Sequence, residues 1–343
     1  MPPSQPRPGQ SRSERPRPEA VPPEPLSPEQ APSPRSTPDY TPSADLDLRQ
    51  ITGTGSVLIA LDFDGVLAPL QDNPDLSRPL PESAQAIVDL STLPATRVAL
   101  VSGRDVTTLR RLADPPPAVW LVGSHGAEVD LGSSSPASTP SPEVTMDQPQ
   151  VSVAEQRMLT AIDAHIESFE HDLSSGSGTS SEPGSGSEPD LDSESGSASE
   201  PGSGPVTEVR VERKPFSRTV HTRGLDSEFA SALHAHVIAV QAEHPGIRVI
   251  EGHDITELAV KTATKGDGLR ALIAAGSPAA VLYLGDDVTD EDAFAELEDL
   301  PTGLSIKVGP APTRAPWRIT DPSAVAELLT RLATERRAQL PQP

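Results

Sequence analysis

The chain has 343 residues, of which 40 are proline, only 3% are aromatic and none is cysteine. A formal net charge of −23 argues against general nucleic-acid binding and against attraction to anionic lipid, since both need clustered Lys and Arg. The absence of cysteine excludes disulfides, thiolate chemistry and Cys-based zinc sites, and with no long apolar run and no apolar signal region the expectation is a soluble cytoplasmic protein.

Residues 1–50 are rich in Pro, Ser, Glu and Arg without apolar periodicity, which predicts a disordered tail. Such tails are usually spacers, and a docking arm for a proline-recognising partner is the rarer use. Ser56–Asp62 (SVLIALD) is a short apolar run and predicts a buried strand. Pro81–Leu93 predicts a helix, Arg97–Ser102 a strand, Val106–Leu112 a helix and Val119–Val122 a strand. A Ser/Pro tract follows at 132–149. Ser152–Asp172 places Met158, Leu159, Ile162, Ile166 and Phe169 at helical spacing. From about 174 to 204 the chain is acidic and Ser/Gly/Pro-rich, with SEPGSG at Ser181–Gly186 and again at Ser199–Gly204, and reads as a flexible loop. Glu208–Arg213 alternates polar and apolar and pairs with Thr219–Thr222 as a hairpin. Leu225–His244 predicts a helix and Arg248–Glu251 a strand. Lys265–Ala274, Glu291–Leu297 and Ser323–Ala333 predict helices, alternating with strands at Ala280–Leu284 and Gly303–Val308. The fold class expected is α/β: a Rossmann-like parallel-sheet core (51–128 and 254–343) with an inserted α+β cap (129–253).

Chemistry-bearing residues gather where strands end. The first strand runs into LDFDG, which sets Asp62 and Asp64 one residue apart. Carboxylates so close repel unless a cation joins them, and Mg²⁺ favours such oxygens; a solvated turn explains this motif alone equally well. The second strand ends in Ser102-Gly103-Arg104, a hydroxyl and a guanidinium suited to an anion. Lys265 opens a helix, placing an ammonium beside a positive helix end. GDDVTDED clusters Asp286, Asp287 and Asp290 at the end of the late strand. Open parallel sheets bind ligands at these carboxyl ends.

These four motifs, in this order, resemble those of haloacid dehalogenase superfamily phosphotransferases. The resemblance implies that Asp62 is the nucleophile and Asp64 the acid and base. It implies that Mg²⁺ is held by Asp62, the Asp64 carbonyl and Asp286, with Asp287 and Asp290 supporting, and that Ser102 and Lys265 hold the phosphoryl oxygens. GSHGAE at Gly123–Glu128, VERKPFSRTVHTR and EGHDITEL narrow the resemblance to trehalose-6-phosphate phosphatases. That implies Mg-dependent hydrolysis of trehalose 6-phosphate, with Arg104, His125, Lys214, His221, Arg223, Glu251 and Glu257 binding substrate. Two departures stand out: Val66 where the family has Thr, and Ala259-Val260 where it commonly has Arg-Pro. Competing readings are another sugar-phosphate phosphatase (sucrose phosphate or a mannosyl phosphate), a phosphomutase, and a regulatory binding protein without activity. No protein partner is legible.

Overall fold

The computed structural model describes residues 39–71, 73–132, 150–176, 209–252 and 254–340. Residues 1–38 of the expected tail, the Ser/Pro tract over 133–149 and the acidic tract beyond Gly176 lie outside them. A short helix α1 (Arg49–Thr52) precedes β1 (Val57–Asp62), α2 (Pro81–Ser91), β2 (Thr96–Val101), α3 (Val106–Ala113), β3 (Trp120–Gly123) and β4 (Glu128–Asp130). Next come α4 (Val153–Gly176), β5 (Arg210–Arg213), β6 (Ser217–His221), α5 (Ser227–Glu243), β7 (Arg248–Gly252) and β8 (Ile255–Ala259). The chain closes with α6 (Lys265–Gly276), β9 (Ala280–Gly285), α7 (Asp290–Glu298), β10 (Gly303–Val308), β11 (Trp317–Ile319) and α8 (Pro322–Gln339).

The larger sheet has the order β11-β10-β9-β1-β2-β3-β4, parallel throughout except for the β3–β4 pair. All six residues of β1 are buried, because the strand is central and covered on both faces. Alternate side chains go to opposite faces. Val57, Ile59 and Leu61 pack with residues of α2, α3 and α8, whereas Leu58 and Ala60 pack with residues of α6 and α7. Asp62 continues the second set, which points it at the start of α6. Since β1 lies between β2 and β9, its carboxyl end is where successive crossovers diverge and leave a crevice.

The second sheet is antiparallel, in the order β5-β6-β8-β7. Its outer face packs on α4 and α5 through Leu159, Ile162, Ile166, Val220, Leu233, Val237 and Leu258. The expected boundaries shift at both ends. β4 belongs to the larger sheet although residues 129 and 130 were placed in the cap. β8 belongs to the cap sheet although residues 254–259 were placed in the core. EGHDITEL runs from the last two residues of β7 into β8, so its two glutamates sit on different strands of one hairpin.

Residues 39–50, expected as tail, pack on the larger domain. Leu46 and Leu48 are buried in the main core, and Ser43 Oγ donates to Glu327 at 2.8 Å. Two leucines in twelve residues give too little periodicity to mark a docked segment. Among the described residues no helix is long and apolar enough to cross a membrane.

Candidate active site

Three strand ends and the start of α6 meet at the carboxyl edge of the larger sheet. Asp62 is nearly fully buried, and its Oδ1 accepts from the Phe63 amide at 2.6 Å. Lys265 is held by the start of α6, whose N-cap Thr264 forms a reciprocal capping box with Asp267. Its Nζ lies 2.8 Å from both Asp62 Oδ2 and Asp290 Oδ1. Asp290 also accepts from the Tyr283 hydroxyl at 2.7 Å and from the Asp286 and Asp287 amides at 3.0 and 2.9 Å. With donors on both oxygens, Asp290 anchors Lys265 and the β9–α7 loop. Asp286 differs: its Oδ1 is buried without any partner. Gly65 adopts φ +75°, and a Cβ there would stand 2.0 Å from Asp286 Oδ2, so glycine is required.

Oxygens of Asp62, Asp286 and Asp290 lie within 4.8 Å of one another. Burial, and then repulsion from Asp290, pushes the Asp286 carboxyl up to about 7. The same two causes raise Asp62 well above the usual carboxylate range, against the pull of Lys265. Burial also opposes ionisation of Asp290, but Lys265 and its hydrogen bonds hold its pKa below the ordinary value. An all-oxygen donor set with one unpartnered oxygen and mutual repulsion fits a hard divalent cation.

Lys307 was not anticipated. It is fully buried on β10 and donates to the backbone carbonyls of Asp286 and Asp287. The available signal was a lysine flanked by Ile306 and Val308 in a strand that is otherwise buried, because a buried ammonium needs a fixed partner.

Ser102 is buried, and its Oγ accepts from the Arg104 amide at 3.2 Å. Arg104, expected to meet a substrate anion, lines the cleft and grips Asp64 with two bonds, Nε to Oδ2 at 2.6 Å and Nη2 to Oδ1 at 2.8 Å. Val66, at the position lacking the family's hydroxyl, is fully buried in the main apolar cluster.

The cap sheet's inner face forms the opposite wall. Strand pairing sorts its residues into rows that share a face. Glu212, Thr219, Glu257 and Ile250 form one row, and Val211, Val220, Thr256 and Glu251 form the adjacent one. Val220 packs into the apolar cluster beneath the helices, and Thr256 Oγ1 lies 2.8 Å from His234 of α5. Glu251 therefore faces the helices: it is 68% exposed and pairs with His234 at 3.4 Å. Strand parity thus sets Glu251, expected to bind substrate, on the face away from the cleft. Glu257 is on the cleft side, with Lys214 at 3.0 Å, His125 at 3.2 Å and Ser217 at 2.6 Å. Glu212, passed over in sequence, also lines the cleft and lies 3.6 Å from His221. Burial opposes its ionisation, but His221, Lys214 and Arg104 lower its pKa. Arg223 lines the cleft too and donates to Asp254 at 3.3 Å. Ala259 and Val260 are both buried, Val260 within the cap's apolar cluster.

The cleft between the two walls has a volume of about 600 Å³. It brings together Asp62, Asp64, Ser102, Arg104, His125, Lys214, His221, Arg223, Glu257, Lys265, Asp286 and Asp287 of the expected set, leaving Glu251 outside and Asp290 behind. Three of its buried polar atoms have neither a hydrogen-bond nor an ion-pair partner: Asp286 Oδ1, His125 Nδ1 and Thr219 Oγ1. Buried polar atoms are rarely left unpaired, so these mark where a polar ligand belongs.

The trehalose-phosphatase family profile matches residues 60–174 and 203–323, more than half of the chain. A trehalose-phosphate phosphatase of Mycobacterium marinum is 28% identical over 289 residues, covering 81% of this chain and 61% of that protein. A trehalose 6-phosphate phosphatase of Zea mays is 26% identical, covering 83% of this chain and 72% of that one. The chain thus spans less than two thirds of the length of the mycobacterial relative. Among solved structures, the C-terminal domain of C. albicans trehalose-6-phosphate phosphatase superimposes with a TM-score of 0.60 at 21% identity, over 84% of this chain and 96% of that domain. That likeness concerns the fold, a parallel core sheet with a separate cap sheet. The chain belongs to the trehalose-phosphatase family, within the haloacid dehalogenase superfamily.

Proposed function

We propose that this protein hydrolyses trehalose 6-phosphate to trehalose and phosphate, with Mg²⁺, through a phosphoaspartyl intermediate on Asp62. The observation that carries the reading is the floor of the cleft: a buried Asp62 fixed by Lys265, beside the unpartnered Asp286 oxygen, beneath a polar cap face. The Lys265 ammonium and the Ser102 hydroxyl hold the non-bridging phosphoryl oxygens. A carboxylate oxygen of Asp62 attacks phosphorus, and the bond from phosphorus to the sugar oxygen breaks. Asp64 gives its proton to that departing oxygen. Water then attacks the phosphoryl group, Asp64 takes the water's proton, and the bond to Asp62 breaks to release phosphate. In the bidentate bridge with Arg104 both Asp64 oxygens accept, so Asp64 turns out of that bridge to carry the proton in each step. Bound Mg²⁺, which Asp62, the Asp64 carbonyl and Asp286 would hold, supplies positive charge to the phosphoryl oxygens. Glu212, Thr219, His221 and Arg223 meet the sugar hydroxyls, which matches a ligand with many donors and acceptors.

The test is a panel of trehalose 6-phosphate, sucrose phosphate, a mannosyl phosphate and a small aryl phosphate, with and without Mg²⁺. Trehalose 6-phosphate is expected to give the highest kcat/KM, activity is expected to need the cation, and D62N is expected to retain less than a few per cent of the rate. Preference for another sugar would overturn the substrate, and return of phosphate to a hexose phosphate would make the protein a mutase. No hydrolysis at all would leave a binding protein.

A further inference from the structure

One buried carboxylate joins the two walls of the cleft. Glu257 is 2% exposed. Its Oε1 accepts from Ser217 of the cap, and its Oε2 accepts from Lys214 of the cap at 3.0 Å and meets His125 Nε2, from the core, at 3.2 Å. Lys214 Nζ also donates to the carbonyl of Gly103, at 3.3 Å, inside the Ser102–Arg104 loop. On its other side His125 presses on the same glycine, where a Cβ would come 2.5 Å from the imidazole.

The His125 loop is not free to drift. Ser124 and His125 lie in the left-handed region, with φ of 49° and 55°. Non-glycine residues rest there only when surroundings impose it, at about 1–3 kcal/mol each. The surroundings are the same loop: the Ser124 amide donates to Arg104 O at 2.8 Å and the His125 amide to Ser102 O at 3.1 Å. Burial opposes ionisation of Glu257, yet Lys214 and His125 hold its pKa far below the ordinary value. Packing of the cap alone would be served as well by an apolar residue, since buried ion pairs seldom exceed apolar replacements in stability.

We propose that Glu257 is a positioning residue that locks the polar face of the cap to the Ser102–Arg104 loop through Lys214 and His125, so that the two walls of the cleft keep one register. It also fixes the sense of His125. With Nε2 held on the carboxylate, the ring turns Nδ1, buried and unpartnered, to the cleft, where a polar ligand atom can meet it. The phosphoryl role of the loop rests on the phosphatase reading; the mechanical linkage does not.

The experiment is amide hydrogen exchange by mass spectrometry on the whole chain, comparing wild type, E257Q and L258V. Leu258 neighbours Glu257 but packs into the apolar cluster of the cap, so L258V reports a purely structural loosening. E257Q is expected to speed exchange about tenfold at 102–104 and 124–126 as well as in the cap strands, because those segments lose their shared anchor. L258V is expected to affect the cap strands alone. E257Q is also expected to lower kcat/KM for a small aryl phosphate about tenfold, although that ligand is too short to reach the cap, whereas L258V stays within about twofold. Exchange that rises only in the cap for E257Q, or equally at 102–104 for L258V, overturns the linkage. A wild type inactive on every phosphoester overturns the functional reading, and the exchange comparison still decides the linkage.

Discussion

Two glutamates on the cap sheet, alike in chemistry and opposite in strand parity, separate recognition from surface decoration. Glu212 stands in the row that faces the cleft, next to His221, while Glu251 stands in the row that faces α5. Replacing Glu251 by Ala removes one ion pair with His234 across 3.4 Å, from a side chain 68% exposed. Exposed pairs of this kind contribute about 0–1 kcal/mol, so stability and turnover are both expected to stay near wild type. Replacing Glu212 by Ala removes a half-buried, ionised acceptor from the wall of the cleft. A hydrogen bond from a neutral hydroxyl to a charged group contributes about 1.5–3 kcal/mol, which converts to roughly ten- to over a hundredfold in kcat/KM. The assay is steady-state kinetics of E212A and E251A on trehalose 6-phosphate and on a small aryl phosphate, with melting temperatures as a control on folding. The aryl phosphate should be hydrolysed by both variants at close to the wild-type rate, because it does not span the cleft. A tenfold loss on the sugar for E251A, or none for E212A, would refute the assignment of faces.

Asp64→Asn is expected to slow both formation and breakdown of the intermediate by about a hundredfold or more, the scale of a lost general acid; unchanged pre-steady-state rates would remove Asp64 from that role. Without metal, the folded chain should lose stability as pH rises, since Asp286 is pushed up from 3.8 to about 7 and the fold therefore holds a proton that the unfolded chain has released. Its contribution is full below the unfolded value and is lost as pH climbs through about 7, giving a drop of about 2 kcal/mol between roughly pH 5.5 and 8 in chelator, which Mg²⁺ should abolish; denaturation curves with a flat or rising trend in chelator would contradict the burial of that charge. A chain starting at Arg49 should be less stable than one starting at Asp39 by roughly 3–6 kcal/mol, the burial of Leu46 and Leu48 at about 1.5–3 kcal/mol each, read from urea unfolding. Arg336→Met should lower stability by about 3 kcal/mol or more, because the fully buried guanidinium serves Thr96 Oγ1 and the carbonyls of Ile51, Thr54 and Ala95, which methionine leaves unpaired; equal melting points would show those carbonyls to be hydrated.

The parallel sheet was legible because its strands are short apolar runs with carboxylates at their ends, and both properties are local. Asp62, Asp64, Ser102, Lys265 and Asp286 could be placed together for that reason: each sits at a strand end or helix start, and the topology carries those ends to one edge. What resisted reading depends on partners far away in sequence. Lys307 is a single cation in an apolar strand until the carbonyls of Asp286 and Asp287 arrive beside it. Arg104 looks like a plain anion ligand until Asp64, 40 residues earlier, takes its Nε–Nη2 edge. β11, of three residues, is too short for any pattern to show.

The cap shows why a motif match stops short of a site. EGHDITEL contains two glutamates six residues apart, and on a single strand an even spacing would set both on one face. Here the chain reverses between β7 and β8, so parity is set by register across the hairpin. Glu251 pairs with Thr256, and Ile250 with Glu257. Paired residues share a face, so Glu251 and Glu257 must lie on opposite faces whatever their shared acidity suggests. The face that Glu257 occupies is then fixed by hydrophobicity: Leu258 and Val220 must be buried against α4 and α5, which leaves Glu257, Thr219 and Glu212 for the cleft. Once β6, β7 and β8 are recognised as one antiparallel sheet, the apolar residues choose which acids can meet a substrate. The polar residues then inherit the other side, where Glu257 is tied to Lys214, His125 and Ser217 while the buried Thr219 hydroxyl is left for whatever enters.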